Sequence, residues 1–116
     1  MAAPVAAIVE DDALSRRLYR DLLETLGVAV AEYAGAWDES AIVAWVREVE
    51  PSLLVIDAHL AGASGVRVLG ELAGRFPALL STADASAPSG GAALVPKPLA
   101  VQDFLAAAKA LLHSSS

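Results

Sequence analysis

Five side chains in this sequence have the types that handle a phosphoryl group: the carboxylates Glu10, Asp11 and Asp57, the hydroxyl of Thr82 and the ammonium of Lys97. Carboxylates crowded together repel one another unless a divalent cation neutralises them. Ligands that are all oxygen favour Mg2+, which usually keeps one or two carboxylates plus waters and phosphate oxygens. A further carboxylate can then act as nucleophile and become an aspartyl phosphate. An ammonium can pair with the new phosphate, and a hydroxyl can bond one of its oxygens. Each residue also has an ordinary explanation. Asp57 could merely begin a turn, Glu10-Asp11-Asp12 could favour a helix N-terminus, and a strand-end threonine commonly has no special role. Lys97 is stranger, because Pro96 and Pro98 fix the backbone on both sides of it.

The elements that must position these groups are legible from periodicity. Leu53-Leu54-Val55-Ile56 runs directly into Asp57 and then into a glycine-bearing loop, Ala58 to Gly65. A short uninterrupted apolar run of this kind predicts a strand buried on both faces, in the middle of a parallel sheet. Val5 to Val9 predicts the first strand, ending in three acids. Leu14, Leu18, Leu22 and Leu26 then recur every four residues, which predicts an amphipathic helix with Asp12 as N-cap and Gly27 as its stop. Val28 to Ala31 predicts a weak second strand, and Ile42, Trp45, Val46 and Val49 a second helix closed by Pro51. Val66, Leu69, Leu72, Ala73 and Phe76 predict a third helix running up to Pro77, weakened by Gly70 and Gly74. Ala78 to Thr82 and Ala92 to Val95 predict two more strands, separated by an Ala/Ser/Pro/Gly loop. Val101, Phe104, Leu105, Ala108, Leu111 and Leu112 predict the last helix.

Strands alternating with helices imply an α/β, doubly wound parallel sheet with right-handed crossovers. Five strands suit the flavodoxin-like order 2-1-3-4-5. In that order the first and third strands are neighbours, so Glu10-Asp11 and Asp57 meet at one sheet edge, with Thr82 and Lys97 beside them.

At 116 residues the chain is expected to form a single domain over 1–116. A hydrophobic content of 56% excludes disorder, and no apolar run is long enough to span a bilayer. Met1-Ala2-Ala3-Pro4 lacks a signal peptide's basic start and apolar core, so a cytoplasmic location is expected. The absence of cysteine removes disulfides, thiolate zinc sites and thiol catalysis together. A net charge of −6 argues against a nucleic-acid surface. Arg16, Arg17 and Arg20 form the nearest thing to a basic cluster, but Asp21 and Glu24 are interleaved with them.

Ile8-Val9-Glu10-Asp11-Asp12, Val55-Ile56-Asp57 with the loop to Gly65, Ser81-Thr82-Ala83 and Lys97-Pro98 together resemble the receiver domain of two-component response regulators, the CheY-like superfamily. The resemblance covers the whole chain, with a weaker finer likeness to single-domain cell-cycle-type receivers. It implies that Glu10 and Asp11 form the acidic pair for Mg2+ and that Asp57 is the phosphoacceptor. It also implies that His59 is a metal ligand through its backbone carbonyl, Thr82 the switch hydroxyl and Lys97 the phosphate partner. The implied function is a stand-alone receiver that takes a phosphoryl group from a sensor histidine kinase or histidine phosphotransferase and signals to a downstream protein. It would be a monomer or weak homodimer with no membrane or nucleic-acid partner, and no enzyme beyond its own phosphorylation and dephosphorylation. Docking is expected on the first helix, through Arg16 or Tyr19.

The sequence also departs from the family pattern. Only Ala83 to Pro96 separate Thr82 from Lys97, where a loop, helix, loop and strand need about twenty residues. The fourth helix of the fold is therefore expected to be absent or reduced to a loop, and Ala83 to Gly91 could order on phosphorylation. Leu94 stands where the family carries an aromatic, Pro96 precedes the lysine, and Ala61 replaces a common proline. These departures keep open a pseudo-receiver, an interaction module that never carries phosphate. A Mg2+-dependent phosphatase would want a second acid soon after the nucleophile and a covering insertion. A nucleotide site would want a glycine-rich loop after the first strand. Neither feature is present.

Overall fold

The structure, a computed structural model, describes residues 4–83, 92–97 and 99–114. The chain runs β1 (Val5–Val9), α1 (Ala13–Glu24), β2 (Ala29–Glu32), α2 (Glu39–Val49), β3 (Leu53–Asp57), β4 (His59–Leu60), β5 (Ala63–Ser64), α3 (Gly65–Leu72), β6 (Ala78–Thr82), β7 (Ala93–Pro96) and α4 (Val101–Ser114). Five strands form one parallel sheet in the order β2-β1-β3-β6-β7. With the small β4–β5 hairpin set aside, this is the expected 2-1-3-4-5 flavodoxin-like order. The predicted loss of the fourth helix, and the loop that would replace it, fall largely on 84–91, outside the described residues. Among the described residues no helix is long and apolar enough to cross a membrane.

Side-chain alternation along the strands divides the core in two. Leu54, Ile56 and Leu80 face α2 and α3, where Ile42, Val46, Val68 and Leu72 cover them. Leu53, Val55 and Leu79 face α1 and α4, meeting Tyr19, Leu23, Phe104 and Ala108. β3 is buried along its whole length, as its unbroken apolar run predicted. Asp57 is the next residue in that alternation and falls on the α1 side.

Local chemistry sets the helix starts. Asp12 caps α1, its Oδ2 accepting from Ser15 N at 2.9 Å and Ser15 Oγ at 2.7 Å. Asp38 caps α2 by accepting from Ser40 N and Ala41 N, and Ser64 caps α3 by accepting from Arg67 N. Between β3 and α3, His59 pairs with Ser64 and Leu60 with Ala63 around a turn where Gly62 takes φ 85°.

Two expectations need correction. The leucine stripe of α1 is not the buried face: Leu14 is 82% exposed and Leu18 39% exposed, while Tyr19 and Leu23 are buried, with Leu22 and Leu26 flanking them. A four-residue repeat drifts about 40° per step around a helix of 3.6 residues per turn, so the leucines wind off the sheet. The third helix does not reach Pro77. It ends at Leu72, because Ala73 and Gly74 both take positive φ, 52° and 73°; Phe76 still packs on the core from the following loop.

This face assignment makes a direct prediction. Leu23→Ala should cost about 3 kcal/mol by removing a fully buried side chain, whereas Leu14→Ser should change stability by less than about 0.5 kcal/mol. Urea unfolding of the two variants checks it, and similar losses would show that α1 has been placed with the wrong face inward.

Candidate functional site

The carboxyl ends of β1, β3, β6 and β7 lie level with one another. Val9 pairs with Ile56, Asp57 with Ser81, and Thr82 with Pro96. The residues at or just past these ends are Glu10, Asp57, Thr82 and Lys97, so parallel register alone gathers four of the five candidates at one edge. Asp11 follows Glu10 in the turn before α1.

Carboxylate oxygens of Glu10, Asp11 and Asp57 lie within 4.8 Å of one another, with Glu10 and Asp57 buried and Asp11 exposed. Asp57 is held through both oxygens: Oδ1 accepts from His59 N at 3.1 Å and Oδ2 from Lys97 Nζ at 2.5 Å. Lys97 N donates to Thr82 O at 3.0 Å, which ties the lysine's backbone to the end of β6. Glu10 Oε2 accepts from Asp12 N at 3.2 Å, but its buried Oε1 has no hydrogen-bond partner among the described residues. Such an orphaned oxygen, on a carboxylate grouped with two other acids, is suited to a cation.

The electrostatics follow from this crowding. Burial pushes the Glu10 carboxyl up from 4.5 to about 8, and neighbouring Asp57 and Asp11 add to the rise, while the Asp12 N–H partly opposes it. Burial pulls Lys97 down, but its bond to Asp57 and the nearby Glu10 charge outweigh that and hold it above the ordinary lysine value. Tyr19 is raised by burial, partly offset by its bond to Ser81.

Of the residues singled out from the sequence, the structure therefore brings Glu10, Asp11, Asp57 and Lys97 together. Thr82 is buried at the adjacent strand end. His59 meets Asp57 through its backbone N–H, with its imidazole exposed. Asp12 acts as a helix cap. Tyr19, expected on a docking surface, is instead 3% exposed, stacked on Phe104 and donating to Ser81 Oγ at 2.8 Å. Arg16 is engaged too, with Nη1 donating to Glu10 O at 3.0 Å and Nε 3.0 Å from Glu32 Oε1.

Gly65 is a contributor that sequence reading passed over except as a loop boundary. Its N–H donates to Ala58 O at 3.0 Å, and a Cβ at this position would overlap the Asp57 carbonyl oxygen. Only glycine lets α3 start this close to the strand carrying Asp57.

The fold has known counterparts. A response regulator structure from Chloroflexus aurantiacus J-10-fl superposes with a TM-score of 0.82 at 22% identity, covering 97% of this chain and 99% of that one. A two-component response regulator of the LuxR family from Aurantimonas sp. SI85-9A1 gives a TM-score of 0.79 at 25% identity, covering 97% and 87%. The chemotaxis protein CheY4 of Vibrio cholerae gives 0.76 at 17% identity, covering 95% and 99%. No curated protein sequence matches the chain. The family model described as "Response regulator receiver domain" matches residues 6–109. With that match spanning nearly the whole sheet and every strand end of the acidic site, the chain belongs to the response regulator receiver domain family.

Proposed function

We propose that this receiver accepts a phosphoryl group on Asp57 from a phosphohistidine of a sensor histidine kinase or histidine phosphotransferase. The phosphorylated form then acts on a downstream protein by non-covalent contact. The observation that carries this reading is the Asp57 carboxylate held between the Lys97 ammonium and the His59 N–H, with Glu10 and Asp11 at its side. In the transfer, an Asp57 oxygen forms the new O–P bond as the P–N bond breaks, and the electron pair leaves on the imidazole nitrogen, which takes up a proton. Lys97 is placed to follow the charge from carboxylate to phosphoryl oxygens, and Thr82 to hydrogen-bond one of them. The chemistry is confined to the protein's own aspartate.

The all-oxygen donor set and the orphaned Glu10 Oε1 fit Mg2+. Glu10, Asp11, Asp57 and the His59 carbonyl would hold it, and when bound it would neutralise charge building on the transferring group.

The exposed start of α1 offers Leu14, Leu18 and Arg17 beside this site. We assign the donor's docking contact to them in place of Tyr19. A second reading, a receiver fold that carries no phosphate, is favoured by Leu94, which is 38% exposed where the family has an aromatic.

Three predictions follow from this site. Incubation with phosphoramidate and Mg2+ should add one phosphoryl group by intact mass, and Asp57→Asn should abolish the gain. An unmodified wild-type protein would favour the second reading.

Glu10 supplies a pH dependence. Its value in the fold, about 8, lies above its unfolded value of 4.5, so folding favours the protonated carboxyl. That contribution to stability is fully present below 4.5 and is lost as pH rises through about 8. The chelated protein should therefore lose thermal stability between pH about 5 and about 8, and Mg2+ should restore most of it at the upper end. A flat profile in chelator would refute the Glu10 assignment.

Leu14→Ser should slow transfer from a phosphohistidine protein by about tenfold or more and leave phosphoramidate labelling unchanged. Equal slowing with both donors would place the effect in the site and not in docking.

A further inference from the structure

Tyr19 and Ser81 form a buried hydroxyl pair among apolar neighbours, with Ile8, Leu23, Val55, Leu79 and Phe104 in the same cluster. A phenylalanine over an alanine would fill this place with no polar group to satisfy. Two hydroxyls taken out of water recover their desolvation cost only while both are present, since either one alone is an orphan.

The position of the pair in the sheet is what gives it consequence. Ser81 is in register with Asp57 on one side and with Val95 on the other. Residues in register on parallel strands project from the same face, so Ser81 neighbours Asp57 on the α1 side. β6 lies between β3 and β7, and Lys97 follows β7. The lysine must therefore reach across the carboxyl end of β6 to bring Nζ within 2.5 Å of Asp57. That strand end is bonded to both reacting segments, by Ala58 N to Ser81 O and Lys97 N to Thr82 O, each at 3.0 Å. The only side-chain bond securing Ser81 among the described residues comes from Tyr19. The tyrosine is itself seated by its stack on Phe104, ring centroids 5.4 Å apart and 12° from parallel.

We propose that Tyr19 is a positioning residue for phosphoryl transfer to Asp57: through Ser81 it holds the end of β6 at the height that lets Lys97 span it. This inference rests on the phosphoacceptor reading. It concerns a residue that touches neither the phosphoryl group nor the cation, and it acts only through the geometry of Lys97 and Asp57.

The test is a double-variant cycle with phosphoramidate and Mg2+, using Tyr19→Phe, Ser81→Ala and the two combined, with urea unfolding, Mg2+ titration and the concentration dependence of labelling measured on each. The single variants should lose stability, and their maximal labelling rate should fall about tenfold, the scale of a small misplacement of reacting groups. The combined variant, with no orphaned hydroxyl, should regain stability but keep the slow maximal rate, with Mg2+ affinity and the half-saturating phosphoramidate concentration unchanged. Recovery of rate together with stability would show that the pair is structural only and overturn the proposal, as would single variants that label at the wild-type rate. Failure of the unsubstituted protein to label would instead remove the phosphoacceptor reading, and this inference with it.

Discussion

Three carboxylates share a space less than 5 Å across, as the 4.8 Å limit on their oxygens states, and a lysine amine bonded to Asp57 is the positive charge tied directly to one of them. The rest of the molecule is arranged around that imbalance. The Lys97–Asp57 pair alone does not offset it. The lysine side chain is over a third exposed, and pairs open to water contribute about 1 kcal/mol or less. The larger effect is the desolvation of Glu10, which the fold relieves by favouring the protonated carboxyl. The acidic cluster is thus held slightly against its own electrostatics. Such a site has an intrinsic demand for positive charge, which a divalent ion meets directly.

The sheet makes this crowding tolerable by rigidity. Parallel strands buried on both faces leave their ends few ways to move, and the two core layers clamp β3 from each side. The loop after Asp57 is equally constrained. The β4–β5 hairpin, the Gly65 approach to the Asp57 carbonyl, and the bond from Ser64 N to Glu39 Oε2 at 2.9 Å tie it to α2 and α3. His59 N–H is thereby aimed at Asp57 by backbone geometry, which explains how the imbalance of charge coexists with a carboxylate held at both oxygens.

Much of this was legible in the sequence because it depends on local patterns that leave strong marks. An apolar run broken by one acid announces a buried strand and the sheet edge where it ends, and Asp12 was readable as a cap because capping needs only a side chain two or three residues away. What escaped reading depends on long-range packing. The face of α1 was misread because leucine outranks tyrosine as a mark of burial, yet Leu14 and Leu18 are exposed while Tyr19 and Leu23 are buried against the sheet, with Leu22 and Leu26 packed beside them. α3 was read one turn too long because Phe76 continues its apolar spacing, although Ala73 had already taken the left-handed conformation. The hairpin's two-residue strands are too short to show any period. The bond between Tyr19 and Ser81 spans 62 positions and has no sequence signature at all.

That last bond also bears on how the site communicates with the surface. In β7, Leu94 points outward and is 38% exposed, so the position where the family pattern places an aromatic has no large ring to swing between buried and open seats. The stacked pair of Tyr19 and Phe104 lies on the α1–α4 face of the same strands, where Tyr19 joins Ser81 to Phe104 and so to α4, while Tyr33, Trp37 and Trp45 pack together on the α2–α3 face. A group added at Asp57 would press on the end of β6, and the stiffest path from there is a hydrogen bond followed by a stacked ring pair, both fully buried and without slack. The α1–α4 side of the sheet is therefore joined to the strand end beside Asp57 through buried contacts, whereas Leu94 on β7 is exposed.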